Sequence, residues 1–225
     1  MNTLSKSLMA LGLAALLAAP ASAQERRGGG MMGGRGMSVS MLLSNRGVQE
    51  ELKLDDAQKG KVSEAGQKAR EKMESARESL QNLEGQERFA KMRELMKESD
   101  AETMKSLDGV LKPEQVARLK GIRYQALGAA AFEDEEVQKA LKLTDDQKSA
   151  VEKAVADSNA AMRGAFQGDR ESAGAKIREI RKEAVSKIES KLTAEQKAEY
   201  AKLTGAPYEV RFEGGPGGGG RGPGR

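Results

Sequence analysis

Leu143-Thr144-Asp145-Asp146-Gln147 and Leu192-Thr193-Ala194-Glu195-Gln196 are helix starts written in side-chain chemistry, and their recurrence decides how this chain is read. In Thr-x-x-Gln the Thr hydroxyl accepts from the amide three residues on, and the Gln reaches back to the amide of the Thr. Two looser copies stand earlier, Leu54-Asp55-Asp56-Ala57-Gln58 and Leu111-Lys112-Pro113-Glu114-Gln115. Asp caps a helix as Thr does. Lys112 is a poor cap, but Pro113 suits the first helical position. The helix-capping set is therefore Leu54, Asp55, Gln58, Leu111, Gln115, Leu143, Thr144, Gln147, Leu192, Thr193 and Gln196.

Helical patterns run outward from these phrases. After Asp55, apolar residues recur in steps of three and four at Val62, Ala65, Ala69, Met73, Ala76, Leu80 and Leu83, a coiled-coil-like seam. Gly85 reads as its stop. The next helix, from about Gln86, presents Phe89, Met92, Met96, Met104, Leu107 and Leu111. A third, after Pro113, presents Val116, Leu119, Ile122 and Ala126.

The second half repeats the plan. Val48-Gln49 and Leu52-Lys53-Leu54 return as Val137-Gln138 and Leu141-Lys142-Leu143, 89 positions later. At that offset Val62, Ala65, Met73 and Ala76 meet Val151, Ala154, Met162 and Ala165. Leu111, Gln115 and Ala117 return 81 positions later, as Leu192, Gln196 and Ala198. The shorter second copy places its deletion in a hairpin turn near Gln167 to Arg170, where Gly168 and Asp169 suit a loop between antiparallel helices. The returning helix is expected to bury Ile177, Ile180, Ala184, Ile188 and Leu192.

The expected fold is all-α: elongated helical hairpins, two tandem repeats packed as a pseudo-dimer, with disordered Gly-rich tails. Residues 1–23 read as a secretory signal. Lys6 gives the positive start, Leu8 to Ala19 an apolar run, and Ala21-Ser22-Ala23 the cleavage site. That run is shorter than the roughly 20 residues of a membrane span, and no later stretch is apolar enough to cross. Residues 24–37 read as a Gly/Arg/Met-rich tail, 38–130 as the first repeat, 131–212 as the second, and 213–225 as a Gly/Pro/Arg-rich tail.

The formal net charge is +4, but the signal and tails carry all of it and the body balances to zero. Dense, balanced charge fits exposed helix faces rather than a nucleic-acid surface. There is no Cys, so no disulfide scaffold supports an exported fold. There is no His and no G-x-S-x-G nucleophile motif, and the paired acids sit where they complement helix dipoles, so no enzyme is expected. No cofactor or metal is expected either. Met31, Met32 and Met37 are loose thioethers, and Glu133 to Glu136 lack the glycines and spacing of a Ca²⁺ loop.

With its export signal, long helices and paired Leu-Thr-x-x-Gln phrases, the chain resembles the LTXXQ-motif family of bacterial periplasmic proteins, which includes the Spy chaperone and the CpxP stress regulator. The resemblance covers the body and not the tails. Asp55 and Lys112 depart from the motif's Thr, and the His ligands of metal-responsive relatives are absent. Spy-like members carry two motifs per chain and dimerise as intertwined hairpins, so the resemblance implies two units in one polypeptide.

It also implies a periplasmic, ATP-independent, chaperone-like protein that binds unfolded or partly folded envelope proteins. The alternative is a CpxP-like regulator docking on the periplasmic domain of a sensor kinase. A further alternative is a structural envelope protein. Oligomeric state is left open. Met73, Met92, Met96 and Met162 are the candidate client contacts, since a thioether adapts to varied apolar surfaces. The same methionines also fit as filler of the helix seams.

Overall fold

The structure, a computed structural model, describes residues 37–167 and 170–211. The expected signal over 1–23, the tail residues 24–36 and 213–225, Phe212, the turn residues Gly168 and Asp169, and the side chain of Phe89 lie outside the described residues. The described chain is all-α and contains no strand. Its elements are α1 (Val39–Ser44), α2 (Arg46–Glu51), α3 (Asp56–Ser75), α4 (Arg77–Gln81), α5 (Gly85–Ser106), α6 (Pro113–Leu127), a 3₁₀ helix (Gly128–Glu133), α7 (Glu135–Leu141), α8 (Asp145–Gln167), α9 (Arg170–Glu189) and α10 (Ala194–Thr204). Among the described residues, no helix is long and apolar enough to cross a membrane.

The seam expected to run unbroken from Asp55 to Leu83 is interrupted. α3 ends at Ser75 and the chain restarts as α4 after Ala76. Two hydroxyls explain the break: Ser75 donates to the Glu71 carbonyl and Ser79 to that of Ala76. Such back-bonding competes with the helical ladder and bends it. Gly85 is not a stop but the first residue of α5, where its φ of +54° turns the chain between the hairpin arms.

Two apolar cores form. The first gathers Leu42, Leu43, Val48, Val62, Leu107 and Leu119, with their neighbours, from α1 to α6. The second gathers Phe132, Val137, Val151, Val155, Ala184 and Ile188. Phe132 stacks on Tyr200 there, with ring centroids 4.3 Å apart. α6 belongs to both cores, giving Leu119 and Ile122 to the first and Tyr124 to the second. Ala129 also packs with the second core. Ile180 is only half-buried, because Ile177, Ala184 and Ile188 take the seam and leave it at the edge.

Both ends of the described chain meet on the first core. Met37, placed in a free tail by composition, packs partly buried there, as do Tyr208 and Val210 from the far end. The segment after α10 therefore crosses from the second half to the first. The crossing depends on Gly121, where α6 lies against the end of α10: a Cβ on Gly121 would stand 2.5 Å from the Thr204 carbonyl oxygen.

Local geometry recurs at the 89-residue offset. Lys53 and Lys142 both adopt left-handed backbone, with φ of 53° and 51°, which is uncommon for a residue with a Cβ. Gln49 Nε2 donates to the Leu43 carbonyl at 2.7 Å, and Gln138 Nε2 to that of Phe132 at 3.1 Å. Val62 and Val151 are buried, as are Ala65 and Ala154, whereas Met73, Met162, Ala76 and Ala165 are all half-buried.

Two glycine substitutions should move stability in opposite directions. Gly121→Ala forces α6 and α10 apart and is expected to cost about 1–3 kcal/mol. Gly60→Ala, mid-helix with open space around the new methyl, is expected to stabilise by about 0.5–1 kcal/mol. Chemical denaturation of the two variants checks this, and a Gly121→Ala protein as stable as wild type contradicts the close approach.

Candidate functional site: motif clasps and hairpin faces

Each motif begins a helix. Asp55 accepts from Gln58 N at 2.8 Å, Thr144 from Gln147 N at 3.2 Å, and Thr193 from Gln196 N at 3.2 Å. In return the Gln side-chain oxygens accept from Asp55 N at 3.1 Å, Thr144 N at 3.1 Å and Thr193 N at 2.9 Å. Lys112 has no acceptor to offer, so only half of its box forms: Lys112 N donates to Gln115 Oε1 at 2.8 Å. The four motif leucines, Leu54, Leu111, Leu143 and Leu192, are buried.

The motif glutamines do more than cap. Gln58 Nε2 donates to Gln115 Oε1 at 2.8 Å, and Gln115 Nε2 returns a bond to Gln58 Oε1 at 3.1 Å. The remaining amide protons go to backbone, from Gln58 to the Val110 carbonyl at 2.8 Å and from Gln115 to that of Leu52 at 3.0 Å. The second half repeats this bond for bond. Gln147 and Gln196 exchange bonds of 2.8 and 2.9 Å, then donate to the carbonyls of Lys191 and Leu141. A primary amide offers two donors and two acceptor lone pairs, and every one of them is used. The two clasps differ in burial: Gln58 and Gln115 are each 7% exposed, whereas Gln147 and Gln196 are half-buried.

Above each clasp the arms pack as a hairpin, α3 with α5 and α8 with α9. Met73, Met92 and Met96 share the first hairpin and Met162 stands on the second, so the structure does not bring all four together. All four are half-buried, neither sealed in the seam nor free of it. Lys72 bridges the first pair of arms, 3.1 Å from Glu98 and 2.6 Å from Glu102.

A polar joint between the halves was missed by motif reading. Asp100 Oδ1 accepts from Val39 N at 2.7 Å at the start of α1. Arg123 Nη2 lies 3.4 Å from Asp100 Oδ2, and its Nη1 3.2 Å from Asp134 Oδ2, the cap of α7. Among the described residues the buried Nε of Arg123 has no partner. The available signal was Asp100 itself, a charge at helical spacing between Met96 and Met104 on a face otherwise read as apolar.

The neighbouring acidic run is consumed by structure. Asp134 caps α7, Glu135 lies near Lys139, and Glu136 accepts from Lys120 and the Tyr124 hydroxyl. Burial pushes the Asp100 carboxyl above its ordinary value, and the bond from Val39 N and the charge of Arg123 pull it partly back. Burial also raises Glu133, with Arg93 and Lys97 opposing and Glu152 adding to the shift.

No family model, curated protein or solved structure matches this chain.

Two predictions come from the clasps and the joint. Gln58→Ala leaves buried polar groups unpaired and is expected to cost about 2–3 kcal/mol, against about 1 kcal/mol for Gln147→Ala at the wetter clasp. A double-mutant cycle on Gln58 and Gln115 should return a coupling of at least about 1 kcal/mol, and independent effects contradict the clasp. A carboxyl whose folded pKa is raised contributes stability that is full below its unfolded pKa and is lost as pH rises through the folded value. Asp100 and Glu133 should therefore make the fold gain stability as pH falls from neutral through their raised folded values. The Asp100→Asn, Glu133→Gln double variant should gain less over that range in thermal unfolding, and an unchanged slope contradicts the assignment.

Proposed function

We propose that this chain is an exported, ATP-independent, chaperone-like protein of the cell envelope, a tandem duplication of an LTXXQ-type hairpin unit folded back on itself as a pseudo-dimer. The duplication is supported by the paired glutamine clasps, the two left-handed lysines and the matched burial of the seams at one sequence offset. Export and periplasmic location rest on the sequence of residues 1–23.

The observation that carries the chaperone reading is the partial exposure of Met73, Met92, Met96 and Met162 along the hairpin arms. Half-buried thioethers present soft apolar surface without opening the seam. The charges around them alternate in sign, as in the bridge from Lys72 to Glu98 and Glu102. Such a surface attracts non-native segments weakly and releases them without nucleotide. A sensor-docking regulator would instead show selective binding to one folded partner.

The test is aggregation of a model protein at substoichiometric ratios, without nucleotide. The chain is expected to suppress aggregation, and Met92→Glu with Met96→Glu to weaken suppression severalfold while helicity is kept. No suppression at any ratio contradicts the proposal.

A further inference from the structure

The segment after α10 is held like a bound peptide. Gly205, with φ of +67°, ends α10 and sends residues 206–211, which belong to no helix or strand, over α6 and α2. Gln125 of α6 treats this strap as a neighbouring strand would. Its Nε2 donates to the Ala206 carbonyl at 2.9 Å, and its Oε1 accepts from Tyr208 N at 2.7 Å. Arg118 donates to the same Ala206 carbonyl at 2.8 Å, and Asn45 Nδ2 to the Arg211 carbonyl at 2.7 Å. Every one of these bonds joins a side chain of the first half and the backbone of the strap, so none reads the strap's side chains.

Side-chain selectivity comes from two positions. Both Tyr208 and Val210 pack partly buried on the first core. Glu209 between them is exposed. Tyr208 lies over Gly47, where a Cβ would come within 2.9 Å of its hydroxyl, and under the Arg118 guanidinium, 5.8 Å from the ring centroid. Beside the strap an open groove of ≈ 890 Å³ continues along Ser44, Arg46 and Glu50.

We propose that the surface beneath the strap, bordered by this open space, is a peptide-binding groove which residues 206–211 occupy in cis, and that a client segment takes the strap's place. The inference rests on the client-binding reading above and names where and how a client is held. Its occupant is a non-native polypeptide with an aromatic residue followed two positions later by a branched apolar one. Backbone-directed bonds suit a binder of many sequences, since every client carries the same N–H and C=O groups. Tethering keeps the strap at an effective concentration in the millimolar range, so it shields the groove until a client competes.

The test uses a fluorescent peptide, Thr-Gly-Ala-Pro-Tyr-Glu-Val-Arg, copied from residues 204–211, and follows its anisotropy with the full chain. Tyr208→Ala with Val210→Ala loosens the strap and is expected to tighten peptide binding about tenfold or more over wild type. Gln125→Ala in that background should reverse the gain, and a scrambled peptide should bind about tenfold more weakly. If the double variant loses helicity, Val210→Ala alone carries the comparison, with a gain of about threefold expected. Equal affinity of wild type and the strap variant, or indifference to Gln125→Ala, overturns the proposal. Peptide uptake without aggregation suppression supports the groove and counts against the chaperone reading, whereas suppression without peptide uptake counts against the groove alone.

Discussion

The reciprocal amide pair between motif glutamines is the contact on which the rest of the structure depends. Long charged helices with narrow alanine-rich seams bury little apolar surface per residue, so packing alone leaves their register weakly set. Each clasp fixes it. One side chain caps the start of its own helix, binds the matching residue of another helix, and ties down a backbone carbonyl. Because both amides are saturated, sliding one helix by a single residue breaks several bonds at once, and a half-satisfied buried amide is costly. The apolar clusters then grow around a geometry that is already fixed. Leu54 and Leu111 flank one clasp, and Leu143 and Leu192 the other.

The clasps also order the stabilities of the two halves. The first is dry and carries the degenerate motifs, with Asp55 and Lys112 in place of Thr. The second is wetter and carries both intact ones. The incomplete box at Lys112 coincides with deep burial of Gln115 and its partner Gln58. The first half is further tied by the Asp100 joint and by the strap from the far end of the chain, which the second half has no counterpart to receive among the described residues. The function proposed above uses surfaces this scaffold leaves over: the hairpin arms with their half-buried methionines, and the groove beneath the strap.

Much of the fold was legible in the sequence, because capping is local. A Thr or Asp followed three residues later by Gln reports its own helix start without reference to the rest of the chain. Burial at Val62, Val151, Ala184 and Ile188 followed from periodicity for the same reason. The pairing of Gln58 with Gln115, across 57 positions, was not legible, since periodicity says which face is inside and not which residue it meets. The break at Ala76 was hidden because serine hydroxyls leave no mark on an apolar pattern. Gly85 was misread because a left-handed glycine can close one helix or open the next. The strap was missed because residues 205–211 have the composition of a loop, and only their neighbours reveal that side-chain amides hold them.

Native-state hydrogen exchange at the four cap amides, those of Asp55, Lys112, Thr144 and Thr193, tests the clasps most directly. Each of these N–H groups donates to a motif glutamine oxygen rather than to a helical carbonyl. If the clasps hold the hairpins, all four are protected, Asp55 and Lys112 open only with global unfolding, and Thr144 and Thr193 open at lower free energy. Exchange of all four at the rate of an unstructured chain contradicts the account.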